Sequence, residues 1–192
     1  ENVANSRPAF LSESGLTPAE RGTALHTFMQ FADYSAAASD VRGEISRLVE
    51  KGYLTREQGR VIPVAKVKRF FESELYARIK SADRAYREFH FTIDIPATEL
   101  LVQKAGVASE EVVIIQGIAD CVLVENGGLV VIDYKTDHVK TGDILIDRYK
   151  EQLGIYARAL ERTLGMPVRE CLLYSFALDS VINANKAVKI IE

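Results

Sequence analysis

The sequence predicts an α/β domain, a mixed sheet flanked by helices with an N-terminal helical layer. Three observations carry this reading. Helix-start signals and apolar stripes of helical period dominate residues 1–84, the period changes to two near residue 86, and a strong hairpin signal is followed by one long helix and a further strand. At 192 residues the chain suits a single domain with a substantial core. Residues 1–84 form its mainly helical layer and residues 85–192 its sheet-containing part.

Thr17-Pro18-Ala19-Glu20 is a capping box with Pro at the first helical position. The helix it opens should run to about Tyr34, with Leu25, Phe28, Met29 and Ala32 inward. Residues 35–40 are expected to break it. Val41 to Lys51 reads as a second helix closed by Gly52. Thr55-Arg56-Glu57-Gln58 is another capping box opening a short helix, and Pro63 starts a longer one through about Ile79, with Val67, Phe70, Phe71 and Leu75 inward. Tyr86, Glu88, His90 and Thr92 alternate with Arg87, Phe89, Phe91 and Ile93, which predicts a first strand reaching Ile95. Residues 96–110 are expected to form a surface connection with weak β character. Ile118–Val124 and Leu129–Tyr134 are β-branched apolar runs around Asn126-Gly127-Gly128, the strongest short-range hairpin signal. Asp143 to Leu164 is a helix stopped by Gly165 and Pro167, with a stripe of Leu145, Tyr149, Leu153, Tyr156, Leu160 and Leu164. Val168–Phe176 reads as a strand, and Ala187–Ile191 as a short last one.

Composition narrows the class. Hydrophobic content of 47% and charged content of 27% are those of an ordinary globular chain. No apolar run has the length of a membrane span, and nothing at the start reads as a secretion signal. Cys121 and Cys171 fall in predicted core strands and read as buried small hydrophobes, which fits a reducing cytoplasm. They are too few for an iron–sulfur cluster. The first residues, Glu1-Asn2-Val3, lack an initiator Met, so the chain is expected to be an excised fragment. A net charge of −3 argues against a protein whose sole task is gripping nucleic acid. Locally, Lys66, Lys68, Arg69, Arg78, Lys80 and Arg84 outnumber Glu72, Glu74 and Asp83, and a solvated helix face is the preferred account over a phosphate track.

The hairpin carries the chemistry. With Asn126 and Gly127 as the loop, Glu125 pairs with Gly128 and the ladder places Asp120 opposite Asp133, Cβ atoms roughly 4.5–5.5 Å apart. Lys135 then shares the face of Asp133. With Gly127-Gly128 as the loop, Asp120 faces Lys135 instead, and the cluster survives. A slip of one residue would disperse it. Val122 and Val124 are expected on the face of Asp120, with Ala119, Cys121 and Leu123 opposite. Both faces are apolar, so two carboxylates there require compensation. A divalent metal is the obvious candidate. The bland alternative is an ordinary Asp133–Lys135 ion pair at a strand end with Asp120 near a turn.

A set of ordered segments extends this: Glu20-Arg21-Gly22-Thr23-Ala24-Leu25-His26, Arg87-Glu88, Gln116-Gly117-Ile118-Ala119-Asp120, Ile132-Asp133-Tyr134-Lys135-Thr136-Asp137, and Tyr149-Lys150-Glu151-Gln152-Leu153-Gly154-Ile155-Tyr156. In these the chain resembles the PD-(D/E)XK nuclease superfamily, and within it the nuclease domain of the AddA helicase–nucleases related to RecB. Ala119 stands where the nominal Pro of the motif would be, a position the family varies. The resemblance implies a restriction-endonuclease-like core, a metal shell of His26, Asp120, Asp133 and the Tyr134 carbonyl, and Mg²⁺ as the ion, with Mn²⁺ favoured by an imidazole ligand. It implies cutting of single-stranded DNA fed by helicase domains of the same parent chain, in double-strand-break processing, beside an AddB/RexB-type partner subunit.

Chemistry of the residues supports the same roles. Asp120 and Asp133 suit hard cations. Lys135 suits the attacking water or the developing phosphate charge. Gln152 and Tyr156 lie four apart on one helix face, Gln152 to touch DNA or orient Lys135, Tyr156 either for catalysis or for packing. Glu88 would support the metal site or pair with Arg87 or Lys135, and Asp137 would cap the turn after the strand. His26 alone would read as a satisfied helix histidine. No Walker loop occurs, so ATP hydrolysis is expected elsewhere in the parent chain. Alternatives are a stand-alone Cas4-like exonuclease, or a catalytically inactive nuclease fold kept as a DNA-binding scaffold, which should have lost one of His26, Asp120, Asp133 or Lys135.

Overall fold

The computed structural model describes residues 16–96 and 112–190. Helices come first: α1 (Pro18–Phe31), α2 (Tyr34–Ser39), α3 (Val41–Glu50), α4 (Arg56–Val61), α5 (Val64–Phe71) and α6 (Glu74–Ser81). Both capping boxes form, Thr17 with Glu20 and Thr55 with Gln58. Two boundaries differ from expectation because short polar side chains cap helices locally. Asp33 accepts from the Ser35 and Ala36 amides, so the expected break is itself the helix α2. Ser73 accepts from the Tyr76 amide and divides the helix expected from Pro63 into α5 and α6.

The sheet follows as β1 (Arg84–Pro96), β2 (Val112–Glu125) and β3 (Gly128–Lys135), then α7 (Gly142–Leu164), β4 (Val168–Ser175), β5 (Ser180–Asn183) and the helical turn α8 (Asn185–Val188). Strand order is β1-β2-β3-β4-β5. Only β3 and β4 pair in parallel, joined by α7; the other neighbours are antiparallel. The hairpin takes the first of the two registers, with Glu125 opposite Gly128 and Cys121 opposite Ile132. Asn126 and Gly127 both have positive φ, 50° and 71°, as a two-residue primed turn requires. Gly165 ends α7 at φ 66°.

The last strand is corrected. Residues 185–188 form α8, and the edge strand lies earlier, at Ser180–Asn183. The Asn183 side chain accepts from the Asn185 amide and turns the chain out of the sheet. Of the expected surface connection, Pro96 belongs to β1 and residues 97–110 lie outside the described residues.

Each sheet face has its own core. The helical layer packs Leu25, Phe28, Phe70 and Phe71 against Cys121, Leu123, Val130, Ile132 and Tyr134. On the other face α7 packs Leu145, Leu153 and Leu160 against Val122, Leu129, Val131 and Leu173. The mixed sheet between helical layers is the predicted fold class. Much of the basic stretch is committed to ion pairs: Lys66 and Arg69 to Asp179, Lys68 to Glu72, and Arg78 to Glu125 and Glu170.

Candidate active site

The site begins where strand regularity fails. β1 and β2 keep one register, yet Arg87 pairs with Cys121 and Phe89 with Ala119 while Glu88 and Asp120 between them do not pair. Glu88 sits at φ 51°, unusual for a residue with a Cβ. Across this break alternation is lost. Ala119 joins the α7-side core with Val122, whereas Cys121 and Leu123 join the helical-layer core. The expectation that Ala119 shares a face with Cys121 is thereby corrected. So is the regular alternation of β1 through Glu88, since Tyr86 packs against Phe89, three residues on, with ring centroids 5.4 Å apart.

Freed from the ladder, the Asp120 side chain bridges three elements. The paired residues of β2 and β3 end at Cys121 and Ile132. Beyond them Asp120 Oδ2 accepts from the Tyr134 amide at 2.7 Å, while Oδ1 lies 3.2 Å from His26 Nδ1 on α1. Gly22, one turn before His26, lets α1 approach the end of β3: a Cβ there would stand 3.0 Å from Thr136 Oγ1. Burial opposes charge on His26, but the Asp120 hydrogen bond and the negative charges of Asp120 and Asp133 outweigh it and raise its pKa.

Asp133 is 4% exposed. Its Oδ2 lies 2.6 Å from Lys135 Nζ, yet that oxygen has no partner in hydrogen-bonding geometry. Burial, then the neighbouring Asp120 charge, push its pKa up to about 6 in spite of Lys135. Lys135 Nζ stands 3.6 Å from the centroid of the Tyr149 ring on α7. Burial first, then Asp120, also raises the Glu88 pKa, so Glu88 lies within the field of the cluster.

Gln152 donates to the Tyr156 hydroxyl at 2.9 Å, and Tyr156 packs edge-on against Phe91. Burial is the main cause of the raised Tyr156 pKa, with Asp133 and Asp120 adding to it. The structure thus gathers His26, Asp120, Asp133 and Lys135, with Tyr156 and Glu88 at the margin. Gln152 bonds to Tyr156, while Asp133 and the Tyr149 ring hold Lys135. Asp137 accepts the Tyr149 hydroxyl on both oxygens, at 3.0 and 3.1 Å, and pairs with Arg148. In the sequence Tyr149 belongs to the apolar stripe of its helix and Asp137 to the turn after the strand, so neither stands out as a site residue. The signal that could have found Tyr149 is its spacing of three and seven from Gln152 and Tyr156, which puts all three on one side of the helix.

Among the described residues no three His, Cys, Asp or Glu side chains converge tightly enough to hold a metal ion as they stand. The donor set nonetheless fits a hard divalent cation. It offers two carboxylates, one buried beside Lys135, and an imidazole next to Asp120. Lys135 C=O accepts from Phe176 on the β4 side, so Tyr134, one residue earlier, faces β2, where its amide meets Asp120. A cavity of about 760 Å³ opens beside the end of β3, lined by Gly22, Leu25, Thr136, Asp137 and His138 among others.

Comparison with known proteins identifies the family. The family model of the PD-(D/E)XK nuclease superfamily matches residues 2–187. In the ATP-dependent helicase/nuclease of Clostridium kluyveri, the subunit named A is 38% identical over 187 residues, 95% of this chain and 15% of that protein. Its counterpart in Geobacillus thermodenitrificans is 41% identical over 182 residues, covering 89% and 15%. That of Bacillus cytotoxicus is 40% identical over 188 residues, covering 92% and 15%. The chain therefore spans about 15% of the length of these curated relatives. With its fold, its site and this match taken together, the chain belongs to the PD-(D/E)XK nuclease superfamily.

Proposed function

We propose that the chain is a metal-dependent deoxyribonuclease that hydrolyses phosphodiester bonds of single-stranded DNA. The observation that carries this reading is the meeting of His26, Asp120, Asp133 and Lys135 at the break in β2. Asp120, Asp133, His26 and the Tyr134 carbonyl would hold Mg²⁺ or Mn²⁺. When bound, the cation polarises a phosphate oxygen and lowers the pKa of the attacking water. Lys135, fixed beside Asp133, offers an ammonium to the charge that develops on the phosphate. Tyr156, with Gln152 bonded to its hydroxyl, would offer polar groups to the DNA strand, and Glu88 would support Asp120 and His26.

Relatives named as parts of ATP-dependent helicase/nucleases support a role beside a motor. We infer that helicase domains of the parent chain feed the strand and hydrolyse the ATP, that an AddB/RexB-type protein is the partner, and that the work is recombinational repair of double-strand breaks in the bacterial cytoplasm. Among the described residues no helix is long and apolar enough to cross a membrane.

The test uses labelled single-stranded and duplex DNA with Mg²⁺, Mn²⁺ or EDTA, beside Asp133→Ala. Single strands should be cut only with metal, and not by the variant. DNA binding without cleavage, indifferent to metal, would overturn the proposal in favour of a scaffold.

A further inference from the structure

Lys135 has a long, rotamer-rich side chain, and its place in the site depends on what holds its ammonium. Two groups do so. One is Asp133, at 2.6 Å. The other is the face of Tyr149, 3.6 Å from Nζ and well within the range of a cation–π contact. A carboxylate engaged by a divalent cation has less charge left for a neighbouring ammonium. An aromatic face keeps its attraction, because it is neutral and no hard cation competes for it.

The ring is itself held. Its hydroxyl donates to Asp137 at 3.0 and 3.1 Å, and Asp137 pairs with Arg148, the preceding residue on α7. Asp137 lies two residues beyond Lys135, so the chain leaving β3 is fastened to the helix that carries the ring. We propose that Tyr149 is a positioning residue that holds the Lys135 ammonium against its ring face. The proposal rests on the nuclease reading for its effect on rate, but the contact itself does not.

Two readouts test it. In metal-free protein with ¹³C-labelled lysine, the ring current of Tyr149 should displace the Lys135 Cε methylene resonance upfield, the peak being assigned by its loss in Lys135→Arg. Tyr149→Phe keeps the ring and should keep the displacement; Tyr149→Leu should abolish it. In cleavage assays with metal, Tyr149→Leu should lower kcat by about 10- to 100-fold, the scale of a small misplacement of a reacting group, with KM for DNA changed less than about twofold. Tyr149→Phe should stay within about threefold of the parent. Should Tyr149→Leu fail to fold, Tyr149→Met serves with the same readouts.

An undisplaced Lys135 resonance, or a wild-type kcat in Tyr149→Leu, overturns the proposal. A loss in Tyr149→Phe equal to that in Tyr149→Leu overturns it as well, because the hydroxyl and not the ring would then be responsible. If the parent protein cuts no DNA at all, the nuclease reading fails, and the resonance alone decides the contact.

Discussion

Replacing Asp133 by Asn should stabilise the metal-free protein at neutral and alkaline pH. The carboxyl is held at about 6 against an ordinary 3.8, because burial and the Asp120 charge outweigh the attraction of Lys135. Two units correspond to about 3 kcal/mol at 1.36 kcal/mol per unit. The raised value means that the folded state binds the proton more tightly than the unfolded chain does. Between pH 4 and 6 the folded protein therefore carries more protons, and stability falls as pH rises through that window. The full penalty stands at pH 8. Asn imitates the protonated acid and escapes it, so in EDTA at pH 8 Asp133→Asn should gain up to about 3 kcal/mol, or roughly 6–12 °C in Tm for a chain of this length. The gap should close below pH 4. Added Mg²⁺ should stabilise the parent protein and leave the variant unmoved. Thermal and urea unfolding at pH 4 and pH 8, with EDTA or Mg²⁺, measure all of this. An Asn variant less stable than its parent at pH 8 in EDTA would refute the reasoning, since the Lys135 pair would then stabilise more than burial and Asp120 destabilise.

Three further outcomes follow from named contacts. Asp120→Asn can keep an acceptor for the Tyr134 amide but loses the negative charge beside His26, so cleavage should fall by at least about 100-fold, beyond the usual effect of an outer-shell change, while Tm stays near the parent's. Gly117→Ala would drive a Cβ into the Phe91 ring, and that buried ring packs on Tyr156, so urea unfolding should show a loss of about 1–3 kcal/mol. Tyr134→Phe removes one partner of the Tyr34 hydroxyl, 3.3 Å away, and should destabilise by about 1 kcal/mol in urea unfolding.

Local chemistry made a large part of this protein legible in advance. Asn126-Gly127-Gly128 marked the hairpin and narrowed its pairing to two registers, of which the structure takes the one with Glu125 opposite Gly128. The capping boxes at Thr17 and Thr55 and the glycine stop at Gly165 work through neighbours within a few residues, so spacing alone revealed them. The caps at Asp33 and Ser73 are as local but carry no reciprocal acid or amide three residues on, which is why α2 and the division of α5 from α6 were not legible. β5 is four residues long, too short for an alternating pattern to stand out.

By itself the sequence determined the capped helices, the hairpin of β2 and β3, the long helix after it, and the presence of Asp133 and Lys135 on one strand face, all consequences of interactions along or between adjacent segments. Only the tertiary structure decided where Asp120 points. Its break in alternation is shared with Glu88 on another strand, and its side chain is set by a histidine from α1 and an amide from β3. Likewise only packing of α7 on the sheet brought the Tyr149 ring under Lys135. Contacts between residues far apart in the chain follow from how layers pack, and no period in the sequence records them.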